Sequence, residues 1–202
     1  MEKDTAWDRI LQESLPEGAR QYFETIAAKI RAEIEGHKAV DVAEFGCGRG
    51  ELIGILAGSL PSCRFVGYDL SSATIAKLGG NALPNQAFEV LSLPRVPARS
   101  FDCVLCINTL HYIPDAVLAI RRLWSIVKPG GLLIFNYPNR RYLAMLPDEP
   151  QDEAWAVVER PMRLRKNLLT RKRIQGSIRG ARWRVIHRSM GGIIYLCAEK
   201  PE

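Results

Sequence analysis

Four glycines, Gly46, Gly48, Gly50 and Gly54, lie within nine positions, and Glu44 stands two residues before the first of them. A glycine-rich turn between a strand and a helix lets a ligand approach the backbone, and the first N–H groups of the helix can face that ligand. A carboxylate at the entrance repels a pyrophosphate and attracts an ammonium group. The pattern therefore favours a ligand with a positively charged end.

These glycines are expected to differ in role. We expect Gly46 and Gly48 to let a ligand touch the backbone. Gly50 suits either ligand approach or helix packing, whereas Gly54 lies inside the predicted helix and is expected to serve packing. A second acid, Asp69, ends the apolar stretch CRFVGYD, and a carboxylate at the end of a second strand can accept both hydroxyls of a ribose.

The apolar pattern predicts the elements that position these acids. Strands are predicted over 39–45, 63–69, 87–93, 101–107 and 132–137. Helices are predicted within 5–35, with a break at 15–18, and over 51–60, 71–80 and 114–127. Strands that alternate with helices form parallel sheets through right-handed crossovers. The last two predicted strands, 184–190 and 192–200, are joined by a tight turn and are expected to pair antiparallel. The sequence thus predicts an α/β fold: a doubly wound, mostly parallel seven-stranded sheet that ends in an antiparallel hairpin, with helices on both faces.

Size and composition favour one cytoplasmic domain over residues 1–202. The chain has 202 residues, of which 47% are hydrophobic and 25% charged, as in ordinary globular domains. No apolar run approaches the roughly 20 residues of a membrane span, and the charged N-terminus lacks the apolar region of a signal peptide. The five cysteines lie mostly in apolar runs, Cys103 and Cys106 among them. We interpret them as core residues in a reducing compartment and expect no metal site.

Positive charge is concentrated in the basic segment, residues 160–188. It holds eleven Lys or Arg and no acid, which leaves 17 basic and 22 acidic residues elsewhere in a chain of net charge +6. Such a segment suggests an anionic partner: nucleic acid, a phosphorylated or carboxylated substrate, or a membrane surface. Alternatively it is a solvated face, or it pairs with the acidic run 147–159. A helix predicted to begin at Arg171 carries positive charge in its first turn, which opposes the helix dipole.

Several motifs in order resemble those of class I S-adenosylmethionine (SAM)-dependent methyltransferases. They are EFGCGRG, then GYDLS, then SFDCVLCINTLHYIPD, then VKPGG, and the closing hairpin is similar too. The resemblance covers about residues 40–137 and 184–200, and it is closest to the type 11 small-molecule branch. It implies a SAM-dependent methyltransferase that acts on a small molecule by in-line displacement.

The resemblance also implies a SAM site. Its residues are Glu44, Gly46, Cys47, Gly48, Asp69, Leu70, Ser92 and Asn108. Glu44 and the turn 46–48 would surround the methionine portion, Asp69 would bind the ribose hydroxyls, and Leu70 would touch adenine. The family often has an acid for the adenine amine at the end of the third strand. Ser92 stands there in this chain, and the acid nearby is Glu89.

Residues after the fourth and fifth strands are candidates for the acceptor side. By the resemblance, Asn108 and Thr109 should lie near the sulfonium. His111 and Tyr112 are the candidate catalytic residues, because a histidine suits a general base; a helix cap or a SAM contact are the alternatives for His111. After the fifth strand the candidates are Asn136, Tyr137 and Asn139, and Tyr137 could face the sulfonium or simply pack in the core.

Two segments outside the motifs are expected to complete the site. Residues 1–36 form a helical lid, in which the helix around Tyr22 either closes over the site or simply packs on the sheet. Residues 138–182 form a cap on the acceptor side. Two alternatives to a small-molecule enzyme remain at this stage: an RNA or protein methyltransferase that docks through the basic segment, and a SAM-binding regulator without catalysis. A nicotinamide dehydrogenase is a more distant one.

Overall fold

A seven-stranded sheet forms the centre of the computed structural model of the chain. The structure describes residues 2–15, 17–138, 149–163, 169–189 and 193–202. Its strands are β1 Asp41–Phe45, β2 Arg64–Asp69, β3 Gln86–Val90, β4 Phe101–Cys106, β5 Val127–Pro138, β6 Arg182–Arg188 and β7 Ile193–Glu199. Its helices are α1 Lys3–Ile10, α2 Ala19–Gly36, α3 Glu51–Ser59, α4 Ser72–Gly79, α5 Ala116–Ser125, α6 Glu153–Arg163 and α7 Arg171–Ser177, with a 3-10 turn at Leu110–Tyr112.

The strand order is β3-β2-β1-β4-β5-β7-β6. The first five strands pair in parallel, and β7 is antiparallel to both β5 and β6. The predicted fold is therefore confirmed, including the closing hairpin, although its turn at 190–192 lies outside the described residues. Because β1 lies between β2 and β4, the chain changes direction across the sheet at this strand, and ligands of open α/β sheets bind at such points.

Alternate strand residues divide the core between the two faces of the sheet, as the two-residue period of a strand requires. Val42 and Leu105 belong to the core on the side of α2 and α3, whereas Ala43 and Val104 belong to the core on the side of α5 and α7. All five cysteines are buried and free, which agrees with the prediction of apolar core residues.

Two element boundaries differ from the sequence prediction. β3 ends at Val90, so Ser92 follows the strand and does not lie in it. β5 begins at Val127 and so includes residues 128–131, which the sequence prediction left between the helix 114–127 and the strand 132–137. Lys128 forms ion pairs with Asp41 (3.1 Å) and Asp102 (2.9 Å), and these contacts hold the sheet together at its amino edge.

Asp102 also caps the start of β1. Its Oδ2 accepts hydrogen bonds from the backbone N–H groups of Val40 (3.1 Å) and Asp41 (2.8 Å). This position is at the opposite end of the sheet from the glycine turn. Asp102 therefore supports the fold at the amino edge of the sheet.

Candidate functional site

A pocket lies at the carboxyl ends of β1, β2 and β4, where the glycine turn joins β1 to α3. Of the ten site residues predicted from the sequence, nine line it: Glu44, Gly46, Cys47, Gly48, Asp69, Leu70, Ser92, Asn108 and Tyr112. His111 does not. The parallel sheet explains this convergence, since the ends of neighbouring parallel strands meet at one edge.

Gly46 is required by a neighbouring side chain. Its φ is +73°, and a Cβ at this position would lie 2.2 Å from Oγ1 of Thr109. The Thr109 hydroxyl donates to the carbonyl oxygens of Ile107 (3.0 Å) and Gly46 (3.3 Å). The space that Gly46 leaves open is therefore filled by the loop after β4, and a close approach of ligand to the Cα is not what demands glycine here.

The other three glycines differ from one another. A Cβ on Gly50, whose φ is +80°, would lie 2.9 Å from Leu78 of α4, so close packing of α4 favours glycine there. A Cβ on Gly48, with φ +52°, would meet Leu11 at 3.5 Å, an ordinary contact. Within the described residues nothing lies within 4 Å of a Cβ on Gly54. The prediction that Gly54 serves helix packing is therefore wrong.

The N–H groups of the glycine turn bind the protein itself. Those of Gly46 (2.7 Å) and Cys47 (3.1 Å) both donate to the carbonyl oxygen of Tyr68 on β2. The N–H of Gly48 donates to Oδ2 of Asp69 at 2.9 Å. These three N–H groups therefore fasten the turn to the end of β2. The expectation that the first N–H groups of the following helix face a ligand concerns residues from Glu51 onwards and stays a prediction.

Asp69 is held in one orientation by the backbone. Its Oδ2 takes the Gly48 N–H, and its Oδ1 accepts the N–H of Ser71 at 3.0 Å. Only 7% of Asp69 is exposed, and this burial raises the pKa of its carboxyl group. Each oxygen keeps a second lone pair for another donor. A pair of adjacent hydroxyls meets this requirement.

Glu44 is a buried acid with an unsatisfied oxygen. It is 3% exposed, and its Oε2 has no hydrogen-bond partner among the described residues. Burial first, and then the nearby carboxylates of Glu51 and Asp69, raise the pKa of Glu44 well above its ordinary value. Buried polar atoms almost always have partners. An ammonium group entering the pocket would supply both the missing hydrogen bond and the missing positive charge.

Asn108 lies directly after β4 in the left-handed region, with φ +55°. Its Oδ1 accepts hydrogen bonds from Tyr22 of α2 (3.0 Å) and from Nδ2 of Asn136 on β5 (2.6 Å). The Asn108 N–H donates to Oδ1 of Asn136 at 2.7 Å. Tyr22 itself does not line the pocket, whereas its neighbour Phe23 does.

The roof of the pocket is α1 and the residues after it. Trp7, Leu11 and Leu15 line the pocket from this side, and sequence reasoning did not assign them to the site. Their apolar character at a spacing of four residues was the available signal. Arg49 of the glycine turn holds the roof: it donates to the carbonyl oxygens of Ile10 (2.8 Å), Leu11 (2.9 Å) and Glu13 (2.7 Å).

A second attachment joins the roof to α4. The Ser71 hydroxyl donates to Oδ1 of Asp8 in α1, and Ser71 also caps α4 by accepting the N–H of Thr74. Because the Ser71 N–H binds Asp69, one residue connects the roof, α4 and the end of β2.

Part of the chain is similar in sequence to known methyltransferases. Residues 43–133 match the model of a family described as a methyltransferase domain. The trans-aconitate 2-methyltransferase of Deinococcus radiodurans is 34% identical over 112 residues, which are 55% of this chain and 43% of that protein. The ubiquinone biosynthesis O-methyltransferase of Albidiferax ferrireducens is 33% identical over 116 residues, which are 53% of this chain and 43% of that protein. The matched region thus spans less than half the length of either relative.

Solved structures show the same fold over nearly the whole chain. The N-methyltransferase NodS of Bradyrhizobium japonicum, in complex with S-adenosylhomocysteine (SAH), aligns with a TM-score of 0.69 over 99% of both chains at 16% identity. The plantazolicin methyltransferase BpumL, also with SAH, aligns with a TM-score of 0.69 over 99% of this chain and 89% of that one, at 13% identity. The chain therefore has the fold of the class I methyltransferases, and residues 43–133 within it match a methyltransferase domain. Its finer placement in the type 11 branch stays a prediction.

The 3-10 turn holds the two candidate catalytic residues. Tyr112 lines the pocket and meets the ring of Trp7 edge-on, with 5.1 Å between centroids. His111 contacts the Tyr112 ring at 4.1 Å, but its Nδ1 is buried and has no hydrogen-bond partner in the described part of the chain. Burial lowers the pKa of His111 to about 4, so the ring is neutral at neutral pH.

Helix α6 covers the 3-10 turn and α1. Ala154 and Val158 pack on Ala6 and Ile10, and Arg9 pairs with Asp152 at 2.9 Å just before α6. Nε1 of Trp155 is buried on this helix without a partner in the described structure. Sequence reasoning missed Trp155, because a tryptophan in an acidic run carries no motif.

The positive charge of the basic segment is partly neutralised. Arg182 pairs with Glu199, and Arg184 pairs with both Glu199 and Glu33. These acids belong to β7 and α2, so for these two arginines the predicted alternative of pairing with 147–159 is wrong. The predicted helix start at Arg171 is confirmed, with Thr170 accepting the N–H of Arg173 as its cap.

Two remaining predictions concern what lies around the pocket. Glu89 is exposed and pairs with Arg99 at 2.9 Å, so it does not reach the pocket. Asn139 lies outside the described residues. In the part of the chain that the structure describes, no helix combines the length and the hydrophobicity that crossing a membrane requires.

Proposed function

We propose that this chain is a SAM-dependent methyltransferase that transfers a methyl group to a small-molecule acceptor by in-line displacement. The proposal rests on the unsatisfied Oε2 of buried Glu44, because a cation at the bottom of the pocket would give this oxygen a hydrogen-bond partner. SAM, when bound, supplies an activated methyl group on a sulfonium. The relatives described above are named for small-molecule methylation, which supports the choice of acceptor class.

The pocket residues fit SAM from end to end. Glu44 would bind the ammonium of the amino-acid portion, and Asp69 would accept the two ribose hydroxyls with its free lone pairs. Leu70, Leu91 and Leu93 line the pocket beyond Asp69 and would sandwich the adenine ring. Ser92, between these leucines, would take the place of the acid that binds the adenine amine.

The acceptor side lies at the 3-10 turn under α6. Among the described residues, two buried polar atoms of these elements lack partners, Nδ1 of His111 and Nε1 of Trp155. In the neutral tautomer that carries its proton on Nε2, Nδ1 of His111 is an acceptor, whereas Nε1 of Trp155 is a donor. We infer that polar groups of the acceptor satisfy them. A histidine with a pKa near 4 is a weak general base at neutral pH, so His111 orients the acceptor by accepting a hydrogen bond.

The rate enhancement would then come mainly from position. Holding two reactants in line can contribute about 7–11 kcal/mol in favourable cases. The roof residues Trp7, Leu11 and Leu15 would exclude water from the pocket. In this arrangement residues 1–36 act as the lid and 138–182 as the acceptor-side cap.

We propose further that the acceptor carries negative charge. Tyr137 lies at the end of β5. Burial raises the pKa of its hydroxyl group, and the positive charges of Arg171 and Arg188 lower it. Positive charge therefore reaches the carboxyl edge of the sheet, where acceptors bind in this fold class. Turnover of a carboxylated acceptor that falls steeply with ionic strength would support this form.

Calorimetry with SAH and with NAD tests the cofactor assignment. We expect SAH to bind and NAD not to bind. Asp69→Asn, which keeps one acceptor oxygen, should weaken SAH about tenfold or more, since hydrogen bonds to a charged group contribute about 1.5–3 kcal/mol. Glu89→Gln is the matched control and should leave the affinity unchanged. Binding of NAD in place of SAH would contradict the proposal.

A further inference from the structure

The side-chain amide of Asn108 has its orientation fixed by a chain of hydrogen bonds. The backbone N–H of Asn108 can only donate, so the Asn136 atom that meets it is Oδ1. The other end of the Asn136 amide is therefore Nδ2, which donates. The Asn108 atom that it meets must then be Oδ1. The donor and acceptor roles of both side-chain amides therefore follow from the backbone N–H of Asn108 alone.

The hydroxyl of Tyr22 fits the same orientation. It lies 3.0 Å from Oδ1 of Asn108 and donates to it. In this arrangement the single proton of Tyr22 is used, so the adjacent hydroxyl of Tyr195 donates to Tyr22. Asn136 and Tyr195 are each 0% exposed, so water does not compete with these bonds. Two donors on Oδ1 leave Nδ2 as the uncommitted polar group of a side chain that lines the pocket.

Several donors near Glu44 are already in use. The N–H groups of Gly46, Cys47 and Gly48 are bonded to Tyr68 and Asp69. The Arg49 guanidinium is bonded to the roof, and the Thr109 hydroxyl to nearby carbonyl groups. Nδ2 of Asn108 has no hydrogen-bond partner among the described residues. Asn108 follows β4, in which Leu105 is paired with Glu44, so both side chains stand at the same edge of adjacent strands.

We propose that Tyr22 and Asn136 position the amide of Asn108 so that its Nδ2 binds the carboxylate of the cofactor's amino-acid end. This inference rests on the proposed function. Glu44 then receives the ammonium, and Asn108 receives the carboxylate on the same carbon. Asparagine tolerates the left-handed backbone at this position better than most residues, but that tolerance alone does not require Oδ1 to be tied from two sides. Tyr22 and Asn136 are positioning residues, since they act through Asn108.

The test compares two probes that differ in the carboxylate alone. One is SAH, and the other is its decarboxylated analogue, 5′-S-(3-aminopropyl)-5′-thioadenosine, which keeps the adenosine and the ammonium. Calorimetry gives the ratio of their dissociation constants in each variant. The wild-type protein should prefer SAH. Failure of the wild-type protein to bind either probe would overturn the proposed function itself, whereas binding without preference would overturn only the inference about Asn108.

Asn108→Asp is the sharpest variant. The new side chain still accepts from Tyr22 and Asn136, but it presents an oxygen where Nδ2 was. We expect the preference for SAH to fall by about 10- to 100-fold, the value of a hydrogen bond to a charged group. In Asn108→Gly, the glycine tolerates the positive φ and the side-chain amide is absent. We expect the preference for SAH to fall by a similar factor. An unchanged ratio in either folded variant would overturn the inference.

Asn136→Asp tests the positioning. When ionised, the introduced carboxyl group can only accept, so the Asn108 amide turns its Nδ2 towards residue 136 and its oxygen towards the pocket. When protonated, the carboxyl group donates again and the original orientation returns. The preference for SAH, relative to wild type at each pH, should therefore recover as the pH is lowered. A purely structural role for Asn136 predicts a uniform loss at all pH values.

Tyr22→Phe and Tyr137→Phe form a matched pair. Tyr22→Phe removes one of the two donors and should lower the preference by several-fold, because Asn136 still holds the amide. Tyr137 is buried one residue beyond Asn136, with its side chain in the core on the opposite face. Its hydroxyl should not affect the ratio. Equal ratios in the two variants would exclude Tyr22 from the positioning role.

Discussion

The floor and the roof of the pocket are built differently. The floor consists of the ends of β1, β2 and β4, joined by backbone hydrogen bonds from the glycine turn to Tyr68 and Asp69. The roof is α1, held by Arg49 and by the contact between Asp8 and Ser71. The floor therefore depends on the geometry of the sheet, whereas the roof depends on these side chains and on its packing against α6. Segments with few attachments open at lower free energy than the core, so we expect the roof to move and the floor to stay fixed.

The largest effect is expected from Gly46→Ala in the floor. The added Cβ would overlap Thr109 and force an unfavourable φ. We expect the free energy of unfolding to fall by more than about 3 kcal/mol, together with loss of SAH binding. Urea denaturation and calorimetry measure both.

A second substitution separates packing from ligand approach at Gly46. Adding Thr109→Gly removes the overlap but leaves the backbone strain, so the double variant should recover part of the stability. If Gly46→Ala lost SAH binding with an unchanged unfolding midpoint, the glycine would serve the ligand instead of the floor.

The charge state of Glu44 is expected to link cofactor binding to pH. The pKa of Glu44 is raised in the folded protein. At a pH between its ordinary and its raised pKa, the folded protein without cofactor holds a proton that the unfolded chain has lost. Stability of the free protein should therefore fall as pH rises above the ordinary value of 4.5 towards the folded pKa. SAH affinity should rise over the same window, because its ammonium needs the ionised carboxylate.

Proton release measures this linkage directly. Calorimetry of SAH binding in two buffers with different ionisation enthalpies, at a pH within that window, should show release of a fraction of a proton. Glu44→Gln should abolish this release and weaken SAH. Release that persists in the variant would assign the proton to another group.

A smaller effect is expected from Arg49→Gln, which loosens the roof without changing the floor. The guanidinium binds three carbonyl groups at the carboxyl end of α1, where positive charge also suits the helix dipole. We expect a loss of about 1–3 kcal/mol, faster proteolysis around residues 11–15 and faster dissociation of SAH.

Arg20→Gln is the matched control for this variant. Arg20 is 91% exposed at its side chain and pairs with Glu24 within α2, so its removal should change stability by less than about 0.5 kcal/mol. If Arg49→Gln behaved like this control, the roof would be held by packing alone.

The smallest effect, and one of opposite sign, is expected from Gly54→Ala in α3 behind the floor. A Cβ would meet nothing within 4 Å among the described residues, and alanine favours a helix over glycine by up to about 1 kcal/mol. Thermal unfolding should shift upwards. A downward shift would show that α3 needs glycine for packing after all.

The floor could be predicted from the sequence because short local patterns determine it. Glu44, Asp69 and Asn108 each follow or end an apolar strand, and parallel pairing brings such ends together. The role of each glycine could not be read in this way. Gly46 faces Thr109, which is 63 residues further along the chain, whereas Gly54 faces open space.

The roof and the acceptor side could not be predicted because long-range contacts create them. Nothing in the local sequence of Trp7 or Trp155 indicates that α1 and α6 pack together above the 3-10 turn. His111 was predicted from its residue type, but burial by these helices determines its pKa. The pairing of Arg184 with Glu33 and Glu199 likewise depends on how β6 lies against α2.

The sequence by itself determined the fold class and the places where strands end, since periodicity, turn residues and two acids at strand ends are local features. Only the tertiary structure decided which of those residues are free to bind. The glycine-turn N–H groups are used within the protein, Glu44 is left with an unsatisfied oxygen, and Asn108 is turned so that one end of its amide is tied. Hydrogen-bonding capacity is a property of residue type, but whether that capacity is already used depends on neighbours that only folding supplies.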